Sequence, residues 1–227
     1  MKEECLGSEF MRLRKKAWAK PLIDDYTNRI VITKLDFLTN PIKDVFKNDN
    51  KLVLEIGTGK GDFICGLASK NPDVNYIGIE QVETVLAFAL KKIIDKELNN
   101  VKLIRVNANE MLSIFDTKEI DVIRLNFSDP WPKARHEDRR LTSPDFLKMY
   151  KNILNDDGCL IFKTDNREFF DYSVETFKEN GWILEDVNYN YPLTDNDEDV
   201  PTEYERKFRS MGQPIHYLKA VKGGKNG

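Results

Sequence analysis

Alternating strand and helix signals predict a single α/β domain, a mostly parallel sheet covered by helices on both faces. Three observations carry that prediction. From Lys51 onward, apolar runs of strand length alternate with runs of helical period, joined by short connections. The first run leads straight into a glycine-rich turn, Gly57-Thr58-Gly59-Lys60-Gly61. A later run, 122–127, stops at Asp129-Pro130-Trp131-Pro132-Lys133, where neither proline can donate a ladder hydrogen bond and each disfavours helix before it. The loop therefore reads as stiff and extended, leaving the strand's C-terminal end, where open α/β sheets have their ligand crevices.

Taken in order, residues 1–25 are polar and basic without a clean period and read as a mobile N-terminal arm. Residues 26–227 form the single domain, beginning with lead-in helices or irregular structure at 24–33 and 41–46. Lys51–Ile56 is a buried strand, followed by a helix over about 62–69. Strands at 75–80, 101–106 and 120–127 come next, with a long helix at 82–98 whose Val85, Leu86, Ala89, Leu90, Ile93 and Ile94 share one face. A helix begins near Ser143, with Pro144 tolerated in its first turn, and ends about Ile153. Asp156-Asp157-Gly158 turns into a strand at 159–163. Another helix spans about 166–179 and ends at Gly181 in the manner of a C′ glycine. Strands at 182–189 and 216–220 bring the sheet to seven. Between them lies a polar insertion, about 191–214, with helical character from Glu203 to Met211.

At 227 residues the chain can bury one sizeable core. Its apolar runs fall far short of the ~20 residues that span a bilayer. Met1-Lys2-Glu3-Glu4 lacks the layout of a secretory signal, so a cytoplasmic location without a membrane partner is expected. Cys5, Cys65 and Cys159 are scattered and form no C-x-x-C pair. Reduced thiols fit best, and with only His136 and His216 besides, no metal is expected. The net charge of −3 does not advertise a nucleic-acid binder, but the charges segregate. Arg12, Arg14, Lys15, Lys16 and Lys20 surround Trp18; Lys133, Arg135, His136, Arg139 and Arg140 follow the proline loop; acid gathers at Asp195, Asp197, Glu198 and Asp199. A positive face on an acidic protein suits phosphate contacts, and a solvated mixed surface is the bland alternative.

Glycines at 57, 59 and 61 let the backbone approach a ligand without Cβ interference. With Glu55 ahead of them, Leu54–Gly61 resembles the first motif of class I S-adenosylmethionine-dependent methyltransferases, an acid preceding G-x-G-x-G. That resemblance implies a Rossmann-like sheet. A dinucleotide fold prefers G-x-G-x-x-G, with Asp62 standing here at its third glycine; by glycines alone either ligand fits. Glu80, at the tip of the second strand, can accept both ribose hydroxyls of an adenosyl group, as it could those of NAD. Its bland alternative is a surface acid. Near the adenine amino group the pattern puts an acid or amide, which falls at Asn107, where relatives commonly have Asp, or, with the register shifted by two, at Asn109.

Asn126-Phe127-Ser128-Asp129-Pro130-Trp131-Pro132-Lys133, continued by Arg135-His136 and Arg139-Arg140-Leu141, resembles the bacterial tRNA (guanine-N7-)-methyltransferase family. So do Phe162-Lys163-Thr164-Asp165-Asn166 and Thr202-x-Tyr204-Glu205, and the likeness covers nearly the whole chain. It implies methyl transfer from S-adenosyl-L-methionine to N7 of the variable-loop guanosine of tRNA, leaving S-adenosyl-L-homocysteine, by a monomer or homodimer. Carried over residue by residue, it implies a cofactor set of Glu55, Gly57, Gly59, Gly61, Glu80, Asn107 and Asp129, with Asp129 also catalytic. Lys133, Asp165, Thr202 and Glu205 are the implied substrate contacts.

Guanine N7 has a lone pair and no proton, so orientation and stabilisation of the developing cation should dominate. Each assignment has a structural rival: an Asx turn or helix cap for Asp165, a capping arrangement for Thr202 and Glu205, and for Trp131 either base stacking or, preferred here, a wedge against the core. Two other functions compete. A nicotinamide oxidoreductase would want a third glycine at 62 and a proton donor that the sequence does not offer. A non-catalytic RNA-binding relic would have lost Glu80, Asp129 or the glycines, and all are present.

Overall fold

A computed structural model describes residues 15–33, 45–115 and 117–223. The strands are β1 (Val31–Ile32), β2 (Lys51–Ile56), β3 (Val74–Ile79), β4 (Val101–Ile104), β5 (Ile120–Asn126), β6 (Leu154–Thr164), β7 (Trp182–Asn188) and β8 (His216–Lys222). The helices are α1 (Ala19–Asp25), α2 (Asp62–Lys70), α3 (Glu83–Asp95), α4 (Pro144–Ile153), α5 (Arg167–Glu179) and α6 (Glu203–Ser210), with 3₁₀ turns at Ala108–Ser113 and Ala134–Arg139. Among the described residues the strands form one sheet in the order β1-β4-β3-β2-β5-β6-β8-β7. Pairing is parallel from β1 to β6, and β8 runs antiparallel to both β6 and β7. From β2 the chain builds outward through β3 and β4, then returns to β5 on the other side. That reversal opens a crevice at the C-terminal ends of β2 and β5.

Alternation along each strand divides the core. Leu52, Leu54 and Ile56 of β2 face one way and meet Phe146, Leu147 and Tyr150 of α4 and Phe169, Phe170 and Phe177 of α5. Val53 faces the other way, toward Phe63 and Leu67 of α2, Leu86 and Leu90 of α3, and Ala19 and Ile23 of α1. Each such Leu, Ile or Phe contributes ~1.5–3 kcal/mol on burial. On the second face, over β5 and β6, Arg124 and Lys163 are buried instead.

Several expectations are corrected. Among the described residues the sheet has eight strands, because Val31–Ile32 adds a short parallel edge to β4. The arm expected over 1–25 is docked from Ala19: Ala19 and Ile23 are buried and Trp18 meets Phe88 edge-on at 5.1 Å. Arg12 and Arg14 lie outside the described residues. The Asp156-Asp157-Gly158 turn is absent, since α4 passes directly into β6 at Ile153–Leu154. A bulge opposite Ile120 and Val122 absorbs those residues, while Lys118 binds Asp156 and a Cβ on Gly158 would lie 3.0 Å from the Asp121 carbonyl.

Candidate active site

A cleft of about 550 Å³ opens at the switch point, lined by Gly57 after β2, Glu80 after β3, Asn107–Asn109 after β4 and Asn126–Asp129 after β5. The glycine turn is strapped across the end of β3, with the Gly57 and Thr58 amides donating to the Ile79 carbonyl at 2.9 and 3.0 Å. The predicted glycines divide their labour. Gly57, at φ +77°, borders the cleft with no heavy atom within 4 Å of where a Cβ would stand. Gly61, at φ +78°, is pressed against α3, where its Cβ would meet that of Ala89 at 2.8 Å. Gly59, at φ +57°, shapes the turn between them and, like Gly61, does not line the cleft.

Glu80 accepts a hydrogen bond from the Val82 amide at 2.8 Å, which anchors the carboxylate beside the cleft. Burial pushes its carboxyl above the usual range, the Val82, Gly59 and Gln81 amides oppose that, and nearby Asp129 adds to it. Glu55 lies under the cleft floor, 3% exposed and not part of the lining. It accepts from Thr58 Oγ1 at 2.6 Å and Asn126 Nδ2 at 2.9 Å. Burial nonetheless pushes its carboxyl up to about 7 against those donors and the charges of Lys163 and Arg124. Asn107 and Asn109 both border the cleft. Asn107 Oδ1 caps the following 3₁₀ turn by accepting from the Asn109 amide at 3.0 Å, and its Nδ2 donates to Gln81 at 3.1 Å.

The proline loop forms the opposite wall, and it is not simply extended. Phe127 and Trp131 adopt φ of +53° and +41°, conformations that L-residues avoid and that cost of order 1–2 kcal/mol each. Arg140 braces the Trp131 end by donating to the Pro130 and Trp131 carbonyls at 2.9 and 3.2 Å, which removes it from the expected basic surface, and the Phe127 amide donates to the Lys163 carbonyl at 2.9 Å. Asp129 faces the cleft, its carboxyl raised by burial. Trp131 is not a core wedge: it lines the cleft half-buried, flanked by His136 and with the Arg139 guanidinium 5.1 Å from its ring. Lys133 is exposed outside the lining.

The remaining substrate residues separate. Asp165 follows β6, outside the cleft lining, and accepts from the Tyr204 hydroxyl at 3.4 Å to each oxygen; burial raises its carboxyl and its own amide, Tyr204 and His216 oppose that. The helix cap foreseen as its rival belongs to the next residue, Asn166, whose side chain accepts from the Phe169 amide. Thr202 caps α6 by accepting from the Glu205 amide at 2.9 Å. Glu205 is turned away from the cleft and fully buried, because Lys163 and Arg209 take its two oxygens at 3.0 and 2.7 Å. Thr202 and Glu205 thus form the capping arrangement foreseen as their rival, with Glu205 alone turned inward. The sequence reading missed Tyr204, whose ring stands 5.0 Å from Phe127, although it lay inside the quoted Thr202–Glu205 motif. It also gave no role to Ser128 or to the floor residue Asn126, and it read Arg139 only as part of a basic surface, whereas Arg139 lines the cleft.

The site can be tested for an adenosyl ligand on its own atoms. Gly57 leaves backbone accessible, Glu80 offers a carboxylate, and Asn126 Oδ1 and Ser128 Oγ are buried at the cleft without a hydrogen-bond partner among the described residues. These groups fit a ligand with amino and hydroxyl functions. Among the described residues no cluster of His, Cys, Asp and Glu suits a metal, and no helix is long and apolar enough to cross a membrane.

Sheet order, glycine turn and cleft together define a class I S-adenosylmethionine-dependent methyltransferase fold. Solved structures agree: an antibiotic-related methyltransferase matches with a TM-score of 0.61 at 20% identity, covering 83% of this chain and 93% of its own. A 30S ribosomal A1408 methyltransferase from an uncultured bacterium matches at 0.60 and 17%, covering 84% and 94%. The profile of a family described as "Putative methyltransferase" matches residues 49–218. The tRNA (guanine-N(7)-)-methyltransferase of Bacillus licheniformis is 47% identical over 213 residues, 92% of this chain and 98% of its own. That of Streptococcus mutans is 46% identical over 210 residues, 92% and 99%. The chain belongs to the tRNA (guanine-N(7)-)-methyltransferase family and is a methyltransferase.

Proposed function

We propose that the chain uses S-adenosyl-L-methionine to methylate N7 of the variable-loop guanosine of tRNA, with Asp129 at the reacting base. The observation that carries this reading is the convergence of Gly57, Glu80 and Asp129 on one cleft. When bound, S-adenosyl-L-methionine supplies an electrophilic methyl group on a sulfonium centre. Gly57 gives it backbone access, Glu80 holds the ribose hydroxyls, and Asn107 or Asn109 holds the adenine amine. Glu55 acts from beneath, fixing Thr58 and Asn126 and so the shape of the floor.

On the substrate side no base is needed, because N7 has a free lone pair. Asp129 orients the purine by accepting from its N1–H and exocyclic amine, and its charge stabilises the cation that develops. Asp165 and Tyr204 form the rim, and Thr202 sets the start of α6. Lys133, exposed beyond the cleft, contacts phosphate or ribose, since a cation at N7 would oppose the chemistry. Recognition of tRNA is then by phosphate contacts, shape and one displaced base.

The test is methyl transfer from labelled S-adenosyl-L-methionine to unmodified tRNA, followed by borohydride treatment and aniline cleavage. Scission at the variable-loop guanosine is expected, because N7 alkylation opens that route. Incorporation without scission would overturn the N7 assignment. No incorporation despite cofactor binding would overturn the tRNA substrate.

A further inference from the structure

The insertion is attached to the sheet by charge where a helix would ordinarily cover the strands with apolar side chains. Lys163 of β6 is fully buried, and its Nζ donates to both Asp199 oxygens and to Glu205 Oε2, each at 3.0 Å. Those three contacts use every proton of the ammonium. Beside it, Arg124 of β5 donates to the Glu198 carbonyl at 2.6 Å and lies 3.9 Å from Asp199. Apolar support comes from Val200, buried against Gly66 of α2, and from Tyr191, stacked on Tyr217 of β8 at 4.3 Å, neither of them a residue of α6.

Such a cluster adds little net stability, because desolvating the ions offsets much of their attraction; what it can fix is register. Here the register matters. Glu205 lies in the first turn of α6, so gripping it determines where Thr202 and Tyr204 stand. Tyr204 then reaches Asp165, two residues beyond Lys163 on the same chain, and Phe127 on the cleft wall. The end of β6 thus holds the start of α6 twice, through Lys163 to Glu205 and through Asp165 to Tyr204, whose ring meets Phe127 of the cleft lining.

We propose that Lys163 is a positioning residue for methyl transfer: acting through Asp199 and Glu205, it seats the insertion so that Thr202 and Tyr204 complete the RNA side of the cleft. This rests on the reading that the cleft methylates tRNA, and it assigns a role to a residue that touches neither cofactor nor base.

The full chain carrying Lys163→Met is compared with wild type by cofactor Kd, by kcat and KM for unmodified tRNA, and by amide hydrogen exchange. The expected result is a KM for tRNA raised about tenfold or more, with cofactor Kd within about threefold of wild type. Protection should fall across 191–214 while α2 and α3 keep theirs. Lys163→Arg, which keeps the charge, should recover part of the KM. If Lys163→Met does not fold, Lys163→Met with Asp199→Asn takes its place, since it removes one stranded carboxylate and leaves Glu205 paired with Arg209. Wild type is run first, and absence of N7 methylation there overturns the underlying reading. With wild type active, unchanged KM in a folded variant overturns the proposal alone. So does a parallel loss of cofactor binding and protection throughout the domain, which is the mark of a merely structural residue.

Discussion

Asp129 and Glu80 face one cleft, and because the roles proposed for them differ, substitution should separate them. In the proposed reaction, the burial that raises the Asp129 carboxyl also strengthens its attraction for a purine turning cationic. Asp129→Ala should lower kcat by ~10²–10³, the scale of losing one transition-state electrostatic group, with cofactor Kd nearly unchanged. Near-full turnover in a rapid-quench assay would remove Asp129 from the chemistry. Glu80→Ala should instead weaken cofactor binding by about 10- to 100-fold, the worth of charge-assisted hydrogen bonds. An unchanged Kd by calorimetry would remove it from the ribose. Glu55 makes a third prediction, about pH. Its carboxyl titrates near 4.5 when unfolded and at about 7 when folded, chiefly through burial. Between those values the folded state binds more protons, so this residue's contribution to stability falls as pH rises from 4.5 toward 7. The loss amounts to ~3 kcal/mol. Urea unfolding at pH 5 and pH 8 should show wild type losing more stability than Glu55→Gln over that interval. Equal losses would contradict the raised value.

The glycine turn shows how one motif serves two ends. Gly57→Ala adds a methyl toward open space, so beyond about 1–2 kcal/mol of left-handed strain its cost should appear as weaker cofactor binding. Gly61→Ala carries the same strain and also drives a Cβ into Ala89 of α3, so it should lower the melting temperature more. Calorimetry and thermal unfolding of the two variants check this; equal destabilisation would contradict it. The motif was legible in the sequence, but its division was not, because spacing does not say which glycine meets a helix. The parallel order of the sheet was legible for a related reason: strand and helix periods alternate from Lys51 onward. The direct passage of α4 into β6 was not, since Asp156-Asp157-Gly158 is locally a turn and only the bulge against β5 makes it strand. Likewise the prolines suggested an extended loop, while the left-handed Trp131 is braced by Arg140, nine residues along, and Phe127 is tied to Lys163 of the next strand.

At the scale of the molecule, charge distribution decides where RNA can lie. The segregation of basic and acidic residues was legible; which of them are free was not. Asp199 and Glu205 are consumed by Lys163, Asp195 by Lys70, and Arg140 by the loop backbone, partnerships that join distant segments. Lys133, Arg135 and Arg139 remain exposed on the loop and 3₁₀ turn that follow Asp129, with Arg139 reaching the cleft lining. A polyanion reaching Asp129 would meet those cations first, despite the net charge of −3. Each phosphate neutralised releases counterions, so log affinity for tRNA should fall linearly with log salt. Replacing Lys133 and Arg135 together by Ala should reduce that slope by about one for each cation removed. Cofactor affinity, set among Gly57 and Glu80, should not change with the same substitutions. Filter binding of unmodified tRNA across a salt series measures the slope directly. A double variant with the wild-type slope would mean that the phosphates run elsewhere on the molecule, and Lys133 would lose its place in the substrate site.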